Sequence, residues 1–300
     1  MESKVLKIEI PDEPLTASDL VGRAIRIARL NWLPMIRFQI VPMIVYWAAF
    51  FCMCWDPDTY DRNFPANVSF WIITLGLIVN YLSIWELAIR KFALLLFLAN
   101  AAETLEEALR KAQKKMWMIL FLAQPVFFTE ASLDVLSFVS SKIGKVASGG
   151  DLHSPLMLMS VFLSAVEFAF LLPFIWIIVL NLFYLTILVF EKTSLKQAFV
   201  RFCSLLYQDK GYAFVYSTVM ACIFFATIAP TLVAVPLELI LPQNALKYLI
   251  IAVASSILIV PIDTFLNVAV TIGGALLYKQ VCARLEGQDL LDKLKRIESK

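Results

Sequence analysis

Three times along the chain the same amphipathic helical pattern appears, each time followed by a long apolar segment. In Thr104–Trp117, the residues Leu105, Ala108, Leu109, Ala112 and Met116 stand at i, i+3, i+4, i+7 and i+11, one stripe of an α-helix. Leu195, Ala198, Phe199, Phe202 and Leu206 repeat the spacing, as do Val21, Ala24, Ile25, Ala28 and Trp32. Thr104 with Glu107 and Ser194 with Gln197 have the form of capping boxes, and Ser18 with Asp19 offers a looser start to the first copy. The expected architecture is all-α: a polytopic membrane protein with six transmembrane helices in three pseudo-repeats. Each repeat runs amphipathic helix, span, outer loop, span, with the amphipathic helix on the cytoplasmic side.

Composition supports a membrane setting. Hydrophobic residues make up 60% of the 300 and charged residues 17%, with a mean hydropathy of +0.78. A soluble domain would have about 45–50% apolar and about 25% charged residues. The five cysteines include Cys52 and Cys54, with Cys203, Cys222 and Cys282 scattered, and match neither a zinc quartet nor a redox Cys-x-x-Cys. They read as small packing residues. The single histidine, His153, rules out any site needing two histidines from one chain.

Residues 1–15 read as a flexible cytoplasmic arm, despite a short alternation at Lys7-Ile-Glu-Ile10. The first apolar run lies too far in for a cleavable signal peptide and reads as an uncleaved span. Residues 16–280 form one six-span domain with repeats at about 16–100, 101–190 and 191–280, and 281–300 form a cytoplasmic tail. The first span, from about Leu33 to Trp55, is long enough at ~1.5 Å per residue to cross a hydrocarbon core of ~30 Å. Only Arg62, Lys142, Lys145 and Lys247 lie in or beside the three outer loops, leaving 22 of the 26 basic residues on the other side. The positive-inside rule places that side, with both termini, in the cytoplasm.

The even-numbered spans are longer than a simple crossing needs. Pro173 and Pro261 each precede an aromatic residue, Phe190 or Tyr278, by the same interval, and Asn80 and Phe97 hold those places in the first unit. An interior proline removes one helical hydrogen bond, so kinks are expected at both prolines.

Ionisable groups at bilayer depth are functional candidates by default. Glu86 and Arg90, at i and i+4, read as a structural pair near the inner interface. Glu130 and Asp134 share the spacing but are both acidic, and read as solvated carboxylates near the outer edge. Glu167 lies about 17 Å into its span, counting from Leu156, with no basic residue in helical reach. It must be protonated, face a wet cavity or meet a partner on another span. Asp263, beside Pro261 and one turn from Asn267, suits either capping of backbone freed by the kink or ion binding. The amphipathic helices suit the inner leaflet, with basic residues among anionic headgroups, or docking to a cytoplasmic partner.

Three segments carry a family resemblance. Leu15-Thr-Ala-Ser-Asp-Leu-Val-Gly-Arg-Ala-Ile-Arg26 resembles the start of bacterial six-span proteins labelled as the membrane domain of glycerophosphoryl diester phosphodiesterases. Val189-Phe-Glu191-Lys-Thr-Ser-Leu-Lys-Gln-Ala198 is similar to that family's acidic residue before a basic, alanine-containing helix. Tyr278-Lys-Gln-Val-Cys-Ala-Arg284-Leu-Glu286-Gly287-Gln-Asp289-Leu290 resembles its Tyr…Arg-x-Glu-Gly-x-Asp-Leu tail. The resemblance implies a bacterial inner-membrane protein without the catalytic barrel that gives the family its label.

No P-loop, glycine-rich dinucleotide turn, nucleophile elbow or metal signature is present, so no catalytic residue and no cofactor is assigned. The leading expectation is a non-catalytic inner-membrane module that assembles with a membrane or cytoplasmic protein partner, or handles lipid, and does not bind nucleic acid. A small-solute or ion transporter using Glu167 and the kinked helices is the alternative. Three parallel repeats differ from the two inverted halves of many secondary transporters. A lipid enzyme would need a clustered polar site, which the sequence does not offer.

Overall fold

The computed structural model describes residues 16–54, 66–125, 179–208 and 245–298, with isolated positions between them. These residues are all-helical, with no strand among them. In chain order the helices are α1 (Ala17–Leu30), α2 (Trp32–Cys54), α3 (Ala66–Leu98), α4 (Leu105–Gln113), α5 (Met116–Pro125), α6 (Val179–Phe190), α7 (Leu195–Gln208) and α8 (Ala245–Glu298).

Local chemistry sets the starts of the amphipathic helices. Thr16, rather than Ser18, caps α1: its hydroxyl oxygen accepts the Asp19 N–H at 3.2 Å. At α4 the Thr104 hydroxyl accepts the Glu107 N–H at 3.1 Å, and Glu107 reaches back to accept the Glu103 N–H at 2.9 Å. Ser194 and Gln197 close the reciprocal pair at α7, at 3.4 and 3.2 Å. Each cap satisfies donors that the first helical turn leaves without partners.

The end of α3 is equally well defined. Asn100 adopts φ 53°, its N–H donates to Phe97 O at 3.0 Å, and the Ala101 N–H donates to Leu96 O at 2.9 Å. This double bond pattern around a left-handed residue is a Schellman motif. At the corresponding turn after α6, Lys192 adopts φ 51°.

The core lies where α3, α6 and α8 meet the amphipathic helices. Phe92, Leu94 and Leu95 of α3, Phe183 and Ile187 of α6, and Ile272 and Leu277 of α8 pack in one cluster with Val21, Ala24, Ala28, Ala108, Ala112, Ala198 and Leu205. The amphipathic stripes are therefore covered by protein. A helix needs only a non-aqueous surface for its apolar face, and the other helices provide one here. The α7 stripe is rotated from the expected one: Leu205 is buried, while Phe199 is exposed.

Among the described residues, two helices are long and apolar enough to cross a membrane, Trp32–Ala49 and Ile259–Leu285. The second is 83% buried within the protein and the first 28%, so α8 is the central post and α2 lies outside it. α8 packs on α1, α2 and α3. It also runs the same way as α6, with Gly274 against Leu182 and Tyr278 against Phe190. The helix α8 is assigned without interruption through Pro261 and on to Glu298, through most of residues 281–300. Pro173 lies outside the described residues, as do Glu130, Asp134 and Glu167.

Candidate functional site

Four of the six intramembrane polar candidates are described, and α2 is the helix that joins them. Glu86 and Arg90 of α3 form their i, i+4 pair, Arg90 Nε donating to Glu86 Oε1 at 2.8 Å. The guanidinium reaches further, donating through Nη1 to the Phe38 carbonyl oxygen and lying 5.1 Å from the centre of the Phe38 ring. Pro42 explains why that carbonyl accepts a side chain. Proline has no N–H, so the carbonyl four residues earlier, that of Phe38, loses its helical partner. A guanidinium has five donors in a fixed fork and can serve carboxylate and carbonyl together.

The second pair lies on α8. Asp263 and Asn267 are buried; Asn267 Nδ2 donates at 3.1 Å to both the Asp263 carboxylate and the Asp263 backbone oxygen. The other carboxylate oxygen accepts from Trp47 Nε1 of α2 at 3.1 Å. Among the described residues the Asp263 carboxylate thus bonds to two side chains, one on α2 and one a turn further along α8, and not to backbone freed by Pro261. Thr264 and Thr271 each donate to the carbonyl four residues back, Val260 and Asn267, at 2.6 and 2.8 Å.

The structure thus adds Phe38, Pro42 and Trp47 to the residues expected from sequence. Pro42 was the available signal: an interior proline leaves a carbonyl at residue 38 that needs a donor, and Arg90 on the neighbouring helix α3 is a basic residue of sufficient reach. Nothing local marks Trp47. Gln39, one turn from Pro42 towards the start of α2, is fully buried, and neither end of its amide has a partner among the described residues.

A second cluster sits where the end of α6 meets α7 and α8. Glu191 Oε1 accepts from Tyr278 Oη at 3.0 Å and from Arg201 Nε at 3.1 Å, which joins the turn after α6 to both α7 and α8. Lys279 lies 5.6 Å from the Phe190 ring centre, and the Phe190 and Tyr278 rings meet at a tilt with their centres 5.4 Å apart.

These arrangements fasten helices. Glu86 and Arg90 balance one another, and Asp263 has donors from two sides. Among the described residues no three His, Cys, Asp or Glu side chains converge. A shallow groove between α3 and α5, lined by Tyr81, Trp85 and Gln124, has the Tyr81 phenol as its one ionisable group among the described residues. No protein-family model, curated protein or solved structure matches this chain.

Proposed function

We propose that the chain is a non-catalytic integral membrane module of a bacterial inner membrane, which assembles with a partner or handles lipid at the inner leaflet. The outward apolar stripes carry this reading. On α3, Trp71, Leu75, Ile78 and Leu82 stand at i, i+4, i+7 and i+11, each about half exposed or more. Val41 and Ile44 continue such a surface on α2, and Trp117 and Phe121 on α5. Water-facing stripes of this length belong to aggregating or partnered proteins, whereas a bilayer satisfies them without any partner.

Six spans in three repeats, with both termini cytoplasmic, complete the reading. The asymmetry of lysine and arginine supports it, and so does the resemblance to the six-span phosphodiesterase-labelled family. A Glu86–Arg90 ion pair and an Asp263 held by Trp47 and Asn267 suit a scaffold better than a moving ion. Cysteine tagging at Ser148 and Ser299 should label from opposite sides of the membrane; labelling from one side removes the topology. Purification with native lipid, followed by mass spectrometry, should recover specific lipids or a protein at fixed stoichiometry. Bulk lipid alone would remove the assembly and lipid-handling role.

A further inference from the structure

The three amphipathic helices are not alike on their outer sides. On α1 the exposed residues are Thr16, Ser18, Asp19, Gly22, Arg26 and Arg29, with Leu30 at the last position as its one large apolar group. The outer side of α4 is wholly polar or charged. Both helices are divided simply between protein and water.

α7 has three sides. Ala198 and Leu205 face the core, with Phe202 and Leu206 beside them. Gln197, Ser204 and Gln208 make a polar side that also carries Arg201, held by Glu191. Between the two, Lys196, Val200, Cys203 and Tyr207 stand at i, i+4, i+7 and i+11, with Phe199 alongside. Phe199 is 58% exposed, Val200 61% and Tyr207 81%, and Cys203 is exposed and unbridged.

We propose that α7 is the helix by which the chain inserts into the anionic inner-leaflet surface, an inference that rests on the membrane reading above. Phe199, Val200, Cys203 and Tyr207 lie among the upper acyl segments, Lys196 meets lipid phosphate, and α1 and α4 stay clear of lipid. The order of sides selects this occupant. A helix seam between two copies of the chain would have polar flanks on both edges. Here the apolar side is bounded by packed protein on one edge and a polar side on the other, the surroundings of a helix in the corner between a membrane protein's flank and the headgroup layer. Charge agrees: Lys192 and Lys196 are exposed beside this face, and Glu191, the nearby carboxylate among the described residues, is engaged by Arg201 and Tyr278. Tyrosine at the far end suits the interface, where one end of the ring is wet.

The test uses the full chain in vesicles of phosphatidylethanolamine and phosphatidylglycerol, with an NBD fluorophore on Cys203 as the sole cysteine. Matched single-cysteine variants at Gln113→Cys on α4 and Val41→Cys on α2 are the comparisons. Doxyl groups high on the acyl chain should quench position 203 several-fold more than position 113, and Lys196→Glu should weaken that quenching in anionic vesicles. Quenching at 203 by aqueous iodide alone places the face in water and overturns the proposal; protection from both quenchers places it under protein and does the same. If position 41 also escapes the doxyl lipids, the membrane reading itself falls; if 41 is quenched and 203 is not, only the α7 proposal falls. Should the cysteine-reduced background fail to fold, the wild-type chain with photoactivatable phosphatidylglycerol gives the same answer. Adducts belong on the α7 peptide, and adducts on α1 or α4 without α7 overturn the proposal.

Discussion

Arg90 donates to the carbonyl oxygen of Phe38, the acceptor that Pro42 deprives of its own helical donor. A break in one helix is thus repaired by a charged side chain from the next. The repair also fixes the pairing of α2 with α3, because Met43 meets Leu87 further along and the two helices run antiparallel.

The relationship predicts a coupled response. Arg90→Met removes the donor and leaves Glu86 without its cation, and should cost about 1–3 kcal/mol in denaturant unfolding of the micellar protein. Pro42→Ala supplies a backbone N–H to Phe38, so the same arginine change should then cost less. A coupling energy of about 1–2 kcal/mol is expected from the four-variant cycle. Additive effects would mean that Arg90 acts through Glu86 alone.

Trp47→Phe tests the other junction. The ring volume is largely kept, but the buried Asp263 carboxylate loses the donor that, among the described residues, comes to it from another helix. The expected cost is about 1–3 kcal/mol. Adding Asp263→Asn should recover part of it, since a neutral amide is cheaper to leave short of a partner than a carboxylate. No recovery in the double variant would show that Trp47 contributes by packing only.

What the sequence made legible, and what it hid, divides by distance along the chain. The Thr104–Glu107 and Ser194–Gln197 caps, the Glu86–Arg90 pair and the proximity of Asp263 to Asn267 all lie within one turn, where helix geometry alone decides who meets. Phe38 and Trp47 were hidden because their roles depend on where α2 crosses α3 and α8. The amphipathic stripes could be read, but not what covers them: an apolar face is satisfied equally by lipid or by protein, and α1 and α4 use protein. Phe199 belonged to the expected stripe and faces outward because Leu205 occupies the inward place. Glu130 and Glu167 lie outside the described residues, so the structure leaves those two readings where the sequence put them.

The two left-handed connector residues give a cleaner stability test. Lys192 at φ 51° bears a steric cost that glycine does not, while Asn100 at φ 53° is a residue type that tolerates the region. Lys192 is exposed, so little else is lost on its replacement. Lys192→Gly should raise stability by up to about 1 kcal/mol, and Asn100→Gly should change it by less than about half of that. Thermal unfolding of both variants in one detergent checks the ranking; a destabilised Lys192→Gly would show that the lysine has a contact worth more than the strain.

The last expectation concerns acid. Glu107, at the start of α4, has its pKa held below the ordinary glutamate value, first by the hydrogen bond from Lys111 and then by the Glu103 N–H it accepts. A carboxyl group with a depressed folded-state pKa contributes stability that is fully present above its unfolded value. That stability is lost as pH falls through the folded value. Local opening of α4 should therefore be constant from neutral pH down to about 5 and should increase below about 4.5, the ordinary carboxylate range. Amide exchange of α4, corrected for its intrinsic pH dependence, reads the opening directly. Glu107→Gln keeps an acceptor for the Glu103 N–H but has no charge to lose, so its α4 should open at a rate that varies little across the same range. Lys111→Met should weaken α4 at neutral pH and flatten the acid response, since Lys111 is the largest cause of the depressed value. An acid response that survives in Glu107→Gln would show that Glu107 is not its source.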